Sequence, residues 1–354
     1  MHSIPEIQFE EISGRHGNLG LITLTRTQVL NALNQAMLNV LKQQLTEWET
    51  ANHIKAVVIR AADGRAFCAG GDIRAVYDRH MAKDPTLAQF FYNEYSLNRS
   101  IHHYSKPYIA LIDGINMGGG VGISLHGSHR IATDRILFAM PETGIGFYPD
   151  VGTTYLLSRL PYNTGYYLGL SGARMTLNDC VALGLIDQGM KRDSFPELIY
   201  KLADTHFHHN AKEVVTGIIQ EFAVSTDKST LLQHQTEIMD CFSKQTIEEI
   251  IHALENYPSQ WCHEAAASIK TKSPTSLKVT LHALQEAEKL EFDECMQMEY
   301  RLTSRFVQEH DFFEGIRAMV VDKDQTPHWK PETLEKVTTS AVKKYFAPLE
   351  KELI

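Results

Sequence analysis

The sequence predicts an α/β protein whose C-terminal region is helical. Two observations predict the α/β part: short β-type apolar runs in the first 140 residues, and glycine-containing turns that lead from such runs into helix-spaced segments. A third predicts the rest, since from about Leu170 onward the apolar residues recur mostly at helical spacing.

Taken in order, Gly20–Leu24 reads as a strand, and Met37, Leu41, Leu45 and Trp48 fall on one face of a helix beginning near Asn34. Ala56–Ile59 is a second strand. A turn at Asp63-Gly64 precedes the loop Cys68-Ala-Gly-Gly-Asp72, and Asp72 suits the N-cap of a helix over Ile73–His80. Tyr108–Ile112 is a third strand; Asp113-Gly114 turns the chain, and Gly118-Gly-Gly120 opens a helix predicted to reach Leu125. Short strands at Arg130–Ala132 and Leu137–Ala139 lead into a turn-rich loop, Pro141 to Gly152. Helices are then predicted over Val181–Leu185, Ile247–Leu254, Leu277–Ala287 and Glu299–Glu309. The expected division is an α/β core over 1–210 and a helical region over 211–354 that packs on or caps it, with no Gly/Ser-rich or Pro-rich linker between them.

Composition excludes several classes of function. A net charge of -9 with scattered Lys and Arg argues against a nucleic-acid partner, whose phosphates demand concentrated positive charge. No uncharged apolar run approaches the roughly 20 residues that span a bilayer, so no membrane partner is expected. Cys68, Cys180, Cys241, Cys262 and Cys295 are odd in number and form no CxxC pair, which favours neither disulfides nor zinc. The acidic N-terminal stretch lacks signal or transit-peptide character, and a reducing, cytoplasmic setting is expected.

The two glycine turns could present backbone N–H groups to a developing negative charge, or could simply allow tight packing. Neither carries the GK[ST] of a phosphate-binding loop nor a GxGxxG fingerprint, which disfavours ATP and NAD. Ser124 lies in Gly122-Ile-Ser-Leu-His-Gly127 without the GxSxG spacing of a nucleophile elbow. His102-His103 and His206-Phe-His-His209 have no carboxylate or cysteine at a metal-ligand spacing, and no metal is predicted. Glu142 and Asp150 share one short loop with Ile145, Phe147, Tyr148 and Val151, surroundings that raise carboxylate pKa values. Two such carboxyls can divide nucleophile or base work from acid work, though the same residues also suit turn capping.

At these residues the chain resembles the enoyl-CoA hydratase/isomerase, or crotonase, family. Ala66-Phe-Cys-Ala-Gly-Gly-Asp-Ile73 is similar to its first oxyanion loop, Asn116-Met-Gly-Gly-Gly-Val-Gly-Ile123 to its second, and Met140 to Gly152 to the catalytic loop that follows. Within the family the resemblance is to hydrolases, and extends through Phe91–Asn98, Ser273–Lys278, Met298-Glu-Tyr-Arg-Leu302, His310–Ala318, Asp322–Gln325 and Trp329–Pro331. It implies a crotonase-like spiral of ββα units. It also implies an oxyanion hole of backbone amides from Ala69 or its neighbours Gly70 and Gly71, together with Gly119; loss of one such donor typically costs about 10²–10³ in rate.

Hydratases of the family carry a Glu two residues after the triple-glycine turn, where this chain has Gly122. Without that partner for Glu142, efficient hydration is not expected; the resemblance instead implies hydrolysis of a short-chain 3-hydroxyacyl-CoA thioester, 3-hydroxyisobutyryl-CoA foremost, in valine breakdown. Glu142 and Asp150 are the implied catalytic pair, and Glu94, Gly119, Glu142 and Asp150 the implied substrate contacts. Coenzyme A would be part of the substrate, and no separate cofactor is expected. Arg26, Arg65 and Arg74 flank early loops and are candidates for its phosphates. The family also makes a homo-oligomer an expectation.

Overall fold

The computed structural model describes residues 2–207 and 210–353. The chain forms two compact units that interleave along the sequence. One takes the segment ending at Gly71, Leu97–Phe138 and Met175–Ser229; the other takes Asp72–Ser96, Ala139–Arg174 and the segment from Thr230 onward. Residue 210 therefore lies inside the first unit, and residues 211–229 of the predicted helical region belong with the α/β part.

Among the described residues the first unit is built on ten strands, β1 Ile7–Gly14, β2 Gly17–Leu24, β3 Ile54–Ala61, β4 Ala66–Cys68, β5 Tyr108–Ile112, β6 Ile115–Met117, β7 His129–Ala132, β8 Leu137–Ala139, β9 Gln188–Met190 and β10 Ala223–Val224. Seven form a sheet in the order β1-β2-β3-β5-β7-β9-β10, and β4-β6-β8 form a second, smaller one. The outer pairs β1–β2 and β9–β10 are antiparallel, whereas β2, β3, β5, β7 and β9 run parallel. Sequence explains the central strands: Ala56-Val-Val-Ile59 and Tyr108–Ile112 are apolar without alternation and wholly buried, as parallel strands covered on both faces must be.

Leu19, Leu21, Val58, Leu111 and Ile131 form part of this unit's core with Leu198 and Leu202 of the Phe195–Ala203 helix and Val215 and Ile219 of the Ala211–Gln220 helix. Each fully buried aliphatic side chain contributes roughly 1.5–3 kcal/mol relative to exposure. Trp48, on the Gln35–Thr50 helix, packs edge-on against Phe9 at 5.9 Å, and a Cβ at Gly20 would come within 2.7 Å of its ring.

The second unit is mostly helical. Its longer helices after residue 230 are Ile247–Asn256, Gln260–Lys270, Pro274–Ala287 and Phe292–Phe306. The short helix His310–Ile316 meets the turn Glu142–Ile145 backbone to backbone: a Cβ at Gly146 would sit 2.1 Å from the Asp311 carbonyl oxygen, and one at Gly315 would sit 2.2 Å from the Ile145 carbonyl carbon. A layer of aromatic rings lies beside that contact, with Phe147 stacked on Phe312 at 4.5 Å and Tyr148 on Phe306 at 5.4 Å. Both packings hold the loop that carries Glu142 and Asp150.

Three predicted helices differ. The one opened by Gly118 covers only Gly119–Gly122 before breaking into turns, because three of its four residues are glycine, a poor helix former. The helix predicted over Val181–Leu185 is Leu177–Ala182, started by a Thr176/Asp179 capping box and stopped before Gly184 at φ +73°. The helix predicted over Glu299–Glu309 is Phe292–Phe306, begun by a Glu291/Glu294 capping box. Among the described residues no helix is long and apolar enough to cross a membrane. All five cysteines are free and buried.

Candidate active site

In the first unit, parallel strands β4 and β6 deliver the two glycine turns side by side. Gly70 has φ +115° and Gly118 φ +48°, both in the region that favours glycine. A Cβ at Gly70 would lie 3.6 Å from the Gly119 nitrogen, so the loops approach at backbone distance. The Ala69 amide donates to the Leu30 carbonyl at 3.0 Å, and the Leu33 amide donates to the Gly70 carbonyl at 2.8 Å. Ala69 is therefore engaged within the fold, which corrects its expected role as a donor to substrate. Among the turn and loop contacts of the described residues, the amides of Gly70, Gly71 and Gly119 donate to no backbone carbonyl.

The second turn is braced from behind. The Asn116 side-chain amide donates to the Ser124 hydroxyl at 2.9 Å, and that hydroxyl donates to the Gly120 carbonyl at 2.7 Å. Ser124 is thus a brace for the turn. Gly120 admits no side chain, because a Cβ there would be 2.4 Å from the Cys68 carbonyl oxygen.

In the second unit, the structure brings Glu94, Glu142 and Asp150 together electrostatically. Glu94 rides on the Leu87–His102 helix, Glu142 begins the turn after Pro141, and Asp150 precedes two left-handed residues, Val151 at φ +54° and Gly152 at φ +79°. All three are buried, with 2%, 6% and 5% exposure respectively. Oε1 of Glu94 and Oε2 of Glu142 are buried without a hydrogen-bond partner. The Tyr95 hydroxyl donates to Asp150 Oδ2 at 2.6 Å, and lies 2.5 Å from the Thr303 hydroxyl. Thr303 also lies 2.7 Å from the Tyr148 hydroxyl, which donates to the Glu299 backbone carbonyl at 2.5 Å.

Burial raises all three carboxyl pKa values, because removing water penalises the charged form. For Glu94 and Glu142 the Asp150 charge adds to burial, and Glu142 also feels Glu94; both titrate well above the usual Glu range. Asp150 is pushed up to about 7 by burial, the bond from Tyr95 offsetting part of the rise. No cation figures among the causes for any of the three. Mutually repelling carboxyls with unpartnered oxygens are costly to fold around, and pKa values moved toward neutrality mark acid–base or nucleophilic sites.

The other candidates have structural partners or open surroundings. Arg26 donates to the Ala32 carbonyl at 2.9 Å, Arg74 pairs with Asp78 at 3.2 Å, and Arg65 is exposed. His102 and His103 pack ring to ring at 4.9 Å; His206 stacks on His16, while His208 and His209 lie outside the described residues. Among the described residues no three His, Cys, Asp or Glu side chains are placed to hold a metal. Tyr95, Tyr148, Glu299 and Thr303 have no place in the sequence reading as site residues. Tyr95, Tyr148 and Glu299 do fall in stretches that carry the family resemblance, Phe91–Asn98, Met140–Gly152 and Met298–Leu302, whereas Thr303 lies just beyond the last of them.

Residues 19–346 match the family model described as enoyl-CoA hydratase/isomerase, and the chain belongs to that family. Its fold is crotonase-like: it is similar to the solved structure of a carnitinyl-CoA dehydratase from Mycobacterium thermoresistibile, with TM-score 0.90 and 36% identity, covering 99% of this chain and 98% of that one. An enoyl-CoA hydratase from Rhodobacter sphaeroides is similar with TM-score 0.86 and 36% identity, over 96% of this chain and 97% of the other. Among curated relatives, the mitochondrial 3-hydroxyisobutyryl-CoA hydrolases of Rattus norvegicus and Homo sapiens are each 41% identical, over 96% of this chain and 89% of theirs.

Proposed function

We propose that this chain hydrolyses a short-chain 3-hydroxyacyl-CoA thioester, 3-hydroxyisobutyryl-CoA first, to the hydroxy acid and free coenzyme A, a step of valine breakdown. The observation that carries the reading is the set of acids the chain retains. Glu142 has a buried unpartnered oxygen and a second acid, Asp150, within electrostatic reach, while Gly122 supplies no carboxyl to a water-positioning pair. The identity to curated hydrolases supports the same choice over the dehydratase and hydratase activities named for the two solved relatives.

In this mechanism Glu142 delivers the oxygen, its own or that of a water it deprotonates, to the thioester carbonyl carbon. Negative charge on the carbonyl oxygen is met by amides of Gly70 or Gly71 and of Gly119. The C–S bond breaks, coenzyme A leaves as thiolate and takes a proton, and one water is consumed overall. Asp150, with a pKa raised to about 7, orients the nucleophile and exchanges that proton. Glu94 receives the acyl hydroxyl on its unpartnered oxygen. The reaction needs no cofactor, coenzyme A entering and leaving with the substrate.

Homo-oligomerisation and residence in the cytoplasm belong to the same proposal, the latter set against relatives named mitochondrial; sedimentation and cell fractionation test them. For the activity itself the test is thiol release from 3-hydroxyisobutyryl-CoA beside hydration of crotonyl-CoA, followed by loss of its conjugated absorbance. Rapid thiol release without hydration is the expected result, and hydration without thiol release overturns the reading.

A further inference from the structure

Glu299 is a buried acid that the mechanism above leaves without a task. It sits on the Phe292–Phe306 helix with 0% exposure and no Lys or Arg among its hydrogen-bond partners. Its carboxylate faces the chain immediately after Asp150. Oε2 accepts from the Gly152 amide at 2.6 Å, and Oε1 accepts from the Thr154 amide at 3.1 Å and from the Thr154 hydroxyl at 2.6 Å. Two of these partners are backbone N–H groups that can only donate, so the arrangement is built for acceptors on both oxygens, which a carboxylate supplies and a carboxamide does not.

The segment so gripped needs holding. Val151 at φ +54° is a β-branched residue in a conformation such residues rarely adopt, and Gly152 follows at φ +79°. A strained pair of this kind persists only where its surroundings over-determine it. One helical turn further on, Thr303 lies beside the hydroxyl of Tyr95, which donates to Asp150 itself. Residues 299 and 303 thus hold the Asp150 turn at two points, one through backbone and one through side chains.

The geometry points to Glu299 as a positioning residue for Asp150: its carboxylate clamps the 152–154 backbone and so fixes where the Asp150 carboxyl stands. The inference rests on the proposed role of Asp150 and makes Glu299 act through that residue alone.

A double-mutant cycle tests it, using thiol release from 3-hydroxyisobutyryl-CoA by the full chain, with Tm measured for each variant. Glu299→Gln should lower kcat at least tenfold while changing KM less than threefold. In an Asp150→Asn background the same substitution should cost less than twofold, because its target is already gone. A kcat within twofold of the parent in Glu299→Gln, or an equal loss in both backgrounds, overturns the inference. If Asp150→Asn alone retains parental turnover, the catalytic reading fails instead. Should Glu299→Gln not fold, Thr154→Val, which removes one bond and keeps the Glu299 carboxyl, takes its place. A kcat loss of about threefold at unchanged KM is then expected, and unchanged kcat overturns the inference.

Discussion

The two glycine turns of the first unit and the carboxyl cluster of the second offer opposite kinds of chemistry by opposite means. The turns present backbone amides that need no titration and no rotamer, and what shapes them is the absence of side chains at Gly70 and Gly120. The cluster presents side chains held against their own preference, three buried acids whose pKa values burial raises, with the Asp150 charge adding to the rise at Glu94 and Glu142. One region is fixed by sterics; the other is held in electrostatic tension. Substitutions should therefore fail differently in the two places, and the difference is measurable.

The largest effect is expected on the acid side. Glu142→Gln keeps shape and burial but removes the group that delivers oxygen, and turnover should fall by about 10²–10⁴, the usual worth of such a group. Because it also relieves a repelled buried charge, the variant should melt no lower than the parent. Thiol-release kinetics beside a thermal melt check both parts; a turnover within a few-fold of the parent would remove Glu142 from the mechanism.

On the amide side, Gly120→Ala should cost about 10²–10³ in kcat, the worth of one oxyanion donor, by forcing the Gly119 turn off the Cys68 carbonyl that its Cβ would strike. Here the melting temperature should fall together with the rate, since the fault is steric. A folded, unshifted variant with full activity would sink the assignment of Gly119.

This contrast also explains what the sequence discloses. The turns, and the loop of Glu142 and Asp150, are legible because their residues resemble the oxyanion and catalytic loops of the family; the glycines alone would equally suit tight packing and the acids turn capping. The choice among Ala69, Gly70 and Gly71 is not legible, because whether an amide is available depends on a partner far along the chain, for Ala69 the Leu30 carbonyl, which no local pattern reveals. The task of Glu299 is hidden for a similar reason. This residue occupies an ordinary amphipathic helix in which most acids face water, and only the tertiary meeting with Gly152 and Thr154 turns it inward. The same dependence on distant contacts hides the interleaving of the two units, since nothing near Gly71 or Ser96 marks a change of partner.

The smallest effect, and the one most specific to the cluster, is on pH dependence. Glu142 must be ionised to react, so kcat/KM should rise with pH through an inflection well above the ordinary Glu value near 4.5. Part of that elevation comes from the Asp150 charge; Asp150→Asn, whatever it does to the maximum rate, should move the inflection of the residual activity to lower pH. Stability should run the other way. Asp150 rises from 3.8 to about 7 on folding and Glu299 from 4.5 to about 8, so the folded chain binds protons more tightly than the unfolded one. Its stability is then greatest below the unfolded values and declines as pH climbs from about 4 to about 8. Asp150→Asn removes one of these groups, and its melting temperature should exceed the parent's at pH 8 but not at pH 4, by about 1–2 °C for each kcal/mol of strain relieved. Melts of both proteins across that range decide it: parallel curves would mean that Asp150 is not held charged at a cost, and that its neighbours, not its own burial, set the chemistry of the cluster.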